Sequence, residues 1–176
     1  MGANAADDAG AGTQAGFPDK FYEDQGAVIS DRAEVFAKAN VLLQIRTIGT
    51  NPETDSNDIG ALKEGQIVIG LIDALTNADA VKSLASSKVK SFALELVPRI
   101  TRAQAMDVLS SQANLAGYKA ALIAADSMPR IFPMMMTAAG TITPARVLVI
   151  GAGVAGLQAI ATCNRLGSIV SAYDIR

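Results

Sequence analysis

A glycine pattern suited to phosphate binding lies near the carboxyl end of the sequence. The apolar run Val147 to Ile150 leads directly into Gly151-Ala152-Gly153-Val154-Ala155-Gly156, a G-x-G-x-x-G. Gly151 permits a tight turn, Gly153 lets the backbone approach a pyrophosphate, and Gly156 allows the next helix to pack on the strand. That helix presents free amides and the positive end of its dipole to phosphates. The pattern therefore predicts a dinucleotide site formed by Gly151, Gly153, Val154, Ala155 and Gly156.

An acidic residue stands where a site of this kind holds the adenosine ribose. Residues 168–173 are typical of a second strand, and Asp174 follows them, 23 residues after Gly151. The expected interval is about 20 residues, and the carboxylate accepts hydrogen bonds from the ribose hydroxyls. Because a carboxylate repels a ribose phosphate, Asp174 favours NAD over NADP. Arg176, which we also assign to the cofactor site, blurs this preference slightly.

A second group of polar residues follows Pro98. Residues 101–127 contain no proline and predict one long helix or two nearly continuous ones, opened by a capping box between Thr101 and Gln104. An apolar stripe of small residues comprises Met106, Leu109, Ala113, Ala116 and Ala120, and a polar face comprises Gln104, Asp107, Ser110, Ser111 and Asn114. Asp, Ser and Asn are poor residues for a helix interior. The polar face is therefore either a ligand-facing surface or an ordinary solvated one.

The composition excludes several kinds of chemistry. The chain has no histidine and one cysteine, Cys163, so it has neither a Ser-His-Asp triad nor the ligands of a zinc site. We interpret Cys163 as a small packing residue, because no base is present to activate it. Fifteen basic against seventeen acidic residues give a net charge of −2 with no basic stripe, which argues against nucleic-acid binding.

Short apolar runs and short helical patterns alternate along the rest of the chain. We predict strands at 27–29, 41–45, 67–71 and 89–94, and helices at 18–25, at 31–39 with Ser30 as its cap, and at 78–86 with Asn77 as its cap. Residues 47–57 are expected to form a polar loop. Such alternation predicts a parallel sheet covered by helices. Because glycine interrupts the charge-free stretch 147–164, we expect no membrane helix there, and we also expect no signal peptide, since residues 1–12 show no basic segment followed by an apolar one.

The predicted fold class is α/β, with an incomplete first α/β domain followed by the start of a Rossmann domain. We expect a flexible tail or loop at 1–16, a first domain lacking its amino end at 17–143, and the opening β-α-β at 144–176. A dinucleotide-binding half needs at least three strands. The sequence is therefore expected to be a fragment of a longer chain.

Two blocks carry a resemblance to a known family. PRITRAQAMDVLSSQANLAGYK at 98–119 and FPMMMTAAGTITPARVLVIGAGVAGLQAIAT at 132–162 resemble the NAD(H)-binding component, the alpha subunit, of proton-translocating NAD(P) transhydrogenases. The resemblance extends over nearly all of 17–176. It departs from the family at Cys163-Asn164, where Ala-Lys is common, and at Thr101, where Ser is common.

The resemblance implies hydride transfer from NADH on this component to NADP on a separate one, coupled to proton movement through a membrane component. It implies that Arg99, Gln104, Asp107 and Ser110 surround the nicotinamide. A homodimer on the cytoplasmic face of the bacterial inner membrane, or on the matrix side of the mitochondrial one, is also implied. Transfer between two nicotinamide rings needs no general acid or base, which suits a chain without histidine. This stretch alone is expected to be inactive.

Two alternatives stay open. An enzyme similar to alanine dehydrogenase shares the architecture but resembles a pattern with an acid-base histidine in the first domain, and this sequence has none. The other alternative is a non-catalytic NAD-binding fragment.

Overall fold

The structure, a computed structural model, describes residues 5–51 and 55–175. They belong to two compact units that divide after Pro98. The strands of the first unit are Ala6–Asp8 (β1), Val28–Ser30 (β2), Val41–Arg46 (β3), Ile67–Leu71 (β4) and Lys90–Ala93 (β5). Its α-helices are Asp19–Glu23 (α1), Arg32–Lys38 (α2), Asp55–Ala61 (α3) and Ala78–Ser86 (α4), and 3-10 turns lie at Thr13–Ala15 and Leu94–Leu96.

A parallel three-stranded sheet forms the centre of the first unit. The strand order is β3-β4-β5, and β4 pairs with both neighbours in parallel. The predicted parallel α/β layer is therefore confirmed. Val68 on β4 is fully buried beside Phe36 and Leu42, as expected for a residue on the central strand. Asn77 accepts a hydrogen bond from the Ala80 amide and begins α4, as the sequence predicts.

Three local features of the first unit differ from the sequence predictions. Some of the expected tail is ordered, because β1 pairs in parallel with β2 and Asp8 bonds the Arg32 guanidinium at 3.1 Å. The cap of α2 is Asp31, whose carboxylate accepts from the Glu34 amide at 2.8 Å, and not Ser30. The expected loop at 47–57 ends early, since α3 already begins at residue 55.

The second unit contains the glycine pattern. Its elements are a 3-10 helix at Thr101–Met106, the long helix Val108–Ser127 (α5), the strands Met135–Thr137 (β6), Gly140–Ile142 (β7), Arg146–Ile150 (β8) and Ile169–Tyr173 (β9), and the helix Val154–Arg165 (α6). β6 and β7 form an antiparallel hairpin. β8 and β9 are adjacent parallel strands connected through α6, which confirms the predicted β-α-β order.

Apolar side chains pack beneath this pair of strands. Ala121, Phe132, Ala145 and Cys163 form the buried cluster. Burial raises the pKa of the Cys163 thiol, which disfavours the nucleophilic thiolate. Cys163 is therefore a packing residue. In the described ranges 5–51 and 55–175, no helix has the length and apolar character needed to cross a membrane.

The predicted long helix is interrupted. Residues 101–106 are 3-10 helix with no side-chain cap, and α5 starts only after Asp107, so the capping box of Thr101 and Gln104 is wrong. The buried positions of α5 are Gly117 and Ala121, whereas Met106, Ala116 and Ala120 of the expected stripe are exposed. Helix α5 packs along α6, and the second compact unit begins at Arg99.

Candidate nucleotide-binding site

The turn after β8 requires a glycine. Gly151 has φ +93°, in the left-handed region that other residues rarely adopt. Its amide donates to the Tyr173 carbonyl at 2.7 Å, so the turn is tied to the end of β9. The backbone thus reverses directly above the carboxyl ends of both parallel strands, which is where ligands bind in open α/β sheets.

The third glycine brings α6 against this turn. A Cβ built on Gly156 would lie only 1.8 Å from the Gly151 carbonyl oxygen and 2.8 Å from its carbon. No side chain fits into that space without moving backbone. The sequence Gly151 to Gly156 therefore allows the start of the helix to rest directly on the turn.

The amino end of α6 has free donors. Gly153 is the N-cap residue and makes no side-chain cap, and the first intrahelical bond of the backbone runs from the Leu157 amide to the Gly153 carbonyl at 2.8 Å. The amides of Val154, Ala155 and Gly156 precede that bond and have no partner within the helix. Together with the helix dipole they suit a pyrophosphate.

Asp174 contacts the same loop. Its Oδ2 accepts a hydrogen bond from the Ala152 amide at 2.6 Å, and the residue is half-buried just beyond β9. Sequence reasoning did not anticipate the involvement of Ala152, because a backbone amide leaves no signal in side-chain patterns. The bond holds the carboxylate over the glycine turn. Arg176, the other residue assigned beside it, lies outside the described residues.

Asp107 and Ser110 form a second polar group in the same unit. Asp107 accepts from the Ser110 amide at 2.9 Å through Oδ1 and from the Ser110 hydroxyl at 2.7 Å through Oδ2. The two bonds from Ser110 and the positive charge of Arg99 lower the pKa of Asp107, so the carboxylate is charged at neutral pH. Capping of α5 by itself accounts for this arrangement.

The other two residues assigned to the nicotinamide are less constrained. The side chains of Arg99 and Gln104 are exposed. The backbone carbonyl of Gln104 accepts from the Asp107 amide at 3.2 Å, which joins the 3-10 helix to the start of α5. The structure thus brings Asp107 and Ser110 into direct contact, with Arg99 close enough to act on the charge of Asp107. Across the described stretches of the chain, no group of three or more His, Cys, Asp or Glu side chains is placed to hold a metal ion.

A parallel β-α-β unit with a glycine turn, an uncapped helix start and an acidic residue after the second strand is the opening of a dinucleotide-binding domain. Residues 2–116 match the alanine dehydrogenase/PNT N-terminal domain, and residues 120–176 match the corresponding C-terminal domain. The chain belongs to the alanine dehydrogenase/PNT family.

Several relatives carry transhydrogenase names. The first part of NAD(P) transhydrogenase subunit alpha of Rhodospirillum rubrum is 48% identical over 95% of this chain and 44% of its own length. A crystal structure of transhydrogenase from Sinorhizobium meliloti is 47% identical, with a TM-score of 0.90 over 98% of this chain and half of that one. Alanine dehydrogenase of Mycobacterium tuberculosis is 30% identical over 95% of this chain.

An L-alanine dehydrogenase structure shares the fold, with a TM-score of 0.77 at 18% identity. The chain spans less than half the length of the Rhodospirillum relative.

Proposed function

We propose that the polypeptide carrying this sequence binds NAD(H) and works as the NAD(H) component of a proton-translocating NAD(P) transhydrogenase. Bound NADH supplies a hydride to NADP held on a separate component. The proposal includes a membrane component through which protons move, a homodimer, and a position on the cytoplasmic or matrix face of the membrane. Its strongest support is the glycine turn with Asp174 above β8 and β9, in a chain 48% identical to a transhydrogenase subunit.

The residues of the second unit fit the dinucleotide. The first amides of α6 would hold the pyrophosphate, because they lack intrahelical partners and stand at the positive end of the helix dipole. The Asp174 carboxylate would accept from the ribose hydroxyls and would repel a phosphate at the same position. Gly156 has no Cβ that would separate the turn from α6, and Gly151 adopts the left-handed conformation that the turn requires.

Asp107 and Ser110 would orient the nicotinamide amide. The Ser110 hydroxyl donates a hydrogen bond to Asp107, so the lone pairs of its oxygen remain to accept a hydrogen bond from an amide N–H. Arg99, whose charge acts on Asp107, and Gln104, in the 3-10 helix before α5, would add further donors. These residues would hold the nicotinamide in position in a polar environment. They need not act as acid or base, since no proton leaves or enters during hydride transfer between two nicotinamide rings.

The alternative activity is an alanine-dehydrogenase-like oxidation, supported by the 30% identity to the Mycobacterium enzyme. Oxidation of an amine to a carbonyl compound moves protons and benefits from a general acid and base. The sequence contains no histidine, the side chain that most often serves this purpose near neutral pH. Transhydrogenation fits the composition better.

Single-turnover hydride transfer tests the proposal. In the full polypeptide, mixed with an NADP-binding partner, Asp107→Asn and Gln104→Asn should slow transfer by roughly ten- to a hundredfold, since misplacement by about 1 Å has effects of that size. Both changes should raise the NADH dissociation constant far less. Asparagine still caps a helix, so Asp107→Asn removes the charge and preserves the start of α5.

Lys119→Ala provides the control, because Lys119 is exposed on α5 away from the polar group. It should change neither rate nor affinity. Transfer rates within about twofold of the parent for both test variants would show that this face is ordinary helix surface. Oxidation of alanine by the parent with NAD would favour the alternative.

A further inference from the structure

The backbones of α5 and α6 approach each other closely at one point. Helix α6 begins at the glycine turn beside Asp174, and α5 begins next to Asp107, with Ser110 in its first turn. Gly117 is buried in α5, and a Cβ built there would lie 2.1 Å from the carbonyl oxygen of Ala155, 2.8 Å from its carbonyl carbon and 3.0 Å from its Cα. All three atoms are backbone, so no side-chain rotation relieves the overlap. A larger residue at 117 must move one helix relative to the other.

The contact falls on the region of α6 that matters for nucleotide binding. Ala155 is the second residue of that helix, and its amide is one of those without an intrahelical partner. The next residue, Gly156, already rests on the Gly151 carbonyl. The amino end of α6 therefore contacts backbone on two sides, namely the glycine turn and α5. A shift of this end away from α5 would also change its contact with the turn.

Helix α5 connects the contact at Gly117 to the polar pair Asp107 and Ser110. Asp107 caps α5 and Ser110 lies in its first turn, and Gly117 is ten positions after Asp107, about 15 Å along a continuous helix. A displacement at the crossing would therefore change the distance between the start of α5 and the start of α6. Gly117 belongs to neither the glycine pattern nor the polar face.

We propose that Gly117 is a positioning residue for the dinucleotide: by allowing the backbones of α5 and α6 to touch, it fixes the amino end of α6 relative to Asp107 and Ser110. The inference rests on the proposed binding of NAD(H) by this unit. It predicts that NADH affinity depends on the absence of a Cβ at 117, although the residue acts on the nucleotide only through the position of α6.

The test is a calorimetric titration of the full polypeptide with NADH, using the parent, Gly117→Ala and Gly60→Ala. Gly60 is a helical glycine in α3, and a Cβ added to it would meet no atom within 4 Å, so it controls for the change of residue type. Gly117→Ala should raise the dissociation constant for NADH roughly ten- to a hundredfold. A change of that size corresponds to the loss of one or more aligned hydrogen bonds to a charged group. The titration is done well below the melting temperature of each variant, so that lowered stability alone leaves the affinity unchanged.

Hydrogen exchange on the parent gives a second readout that does not depend on a variant folding. Coupling is reciprocal, so NADH binding must in turn stabilise the crossing. NADH should slow exchange of the amides around Gly117 several-fold more than those of α4. An unchanged dissociation constant in folded Gly117→Ala, or equal slowing at Gly117 and α4, would overturn the inference. Failure of the parent to bind NADH would instead contradict the proposed function.

Discussion

At the level of single residues, Asp174 combines one observed contact with one proposed role. Its Oδ2 accepts from the Ala152 amide in the structure, and the proposed function gives the same carboxylate the ribose hydroxyls. The two roles are compatible, because an ionised carboxylate has about four acceptor positions on its two oxygens. The bond to Ala152 keeps the side chain over the glycine turn and so orders it before ligand arrives.

Replacement of Asp174 separates these roles. Asp174→Ala in the full polypeptide should weaken NADH binding by about 1–3 kcal/mol, because it removes charge-assisted hydrogen bonds and the anchor of the turn. Asp174→Asn retains an oxygen that can accept from Ala152 but loses the charge, and it should bind NADPH better than the parent does. Calorimetry measures both affinities. Asp126→Ala, an exposed acidic residue on α5, should leave them unchanged; an unaltered NADH affinity in Asp174→Ala would exclude the ribose assignment.

At the scale of elements, the sequence predicted the unit β8-α6-β9 well and the start of α5 poorly. The unit β8-α6-β9 depends on local signals that lie within 30 residues: an apolar run for β8, three glycines, and a second apolar run for β9. The start of α5 was misassigned because two capping patterns compete over residues 101–110. Asp107 accepts two bonds from Ser110, which satisfies an amide of α5, whereas Thr101 makes no cap bond to the 3-10 helix.

β1 illustrates what sequence patterns do not reveal. Ala6, Asp7 and Asp8 show no apolar alternation, and this strand exists through pairing with β2 and through the Arg32 ion pair, more than twenty residues away. The polar residues around Asp107 were recognised in the sequence by their types. The direct contact between Asp107 and Ser110 was not predicted, because it depends on where α5 starts in the structure. The closeness of Gly117 to Ala155 depends on packing between two helices and has no local signal.

The packing of α6 on its turn gives a prediction at this scale. Gly156→Ala should lower the free energy of unfolding by about 1–3 kcal/mol, since the added Cβ overlaps the Gly151 carbonyl and outweighs any gain in helix propensity. Gly60→Ala, in open space on α3, should instead raise it by up to about 1 kcal/mol. Urea unfolding followed by circular dichroism measures both. Equal effects of the two substitutions would contradict the close packing of α6 on the turn.

At the scale of the whole molecule, the elements of the proposed site lie within one compact unit. The glycine turn, Asp174, the polar start of α5 and the crossing at Gly117 all fall between residues 99 and 175. The first unit contains strands that pair in parallel, as the alternation of strands and helices predicts, and they form two separate sheets, β1-β2 and β3-β4-β5. The chain spans 44% of the Rhodospirillum subunit, so the complete reaction is a property that we propose for the longer polypeptide.

We propose that the second unit binds NAD(H) in preference to NADP(H). Parallel calorimetric titrations of the full parent polypeptide with NADH and NADPH test it most directly, because the two ligands differ only in the phosphate on the adenosine ribose. We expect at least about tenfold tighter binding of NADH, since a like charge placed against Asp174 costs several kcal/mol. Equal affinities, or tighter binding of NADPH, would contradict it.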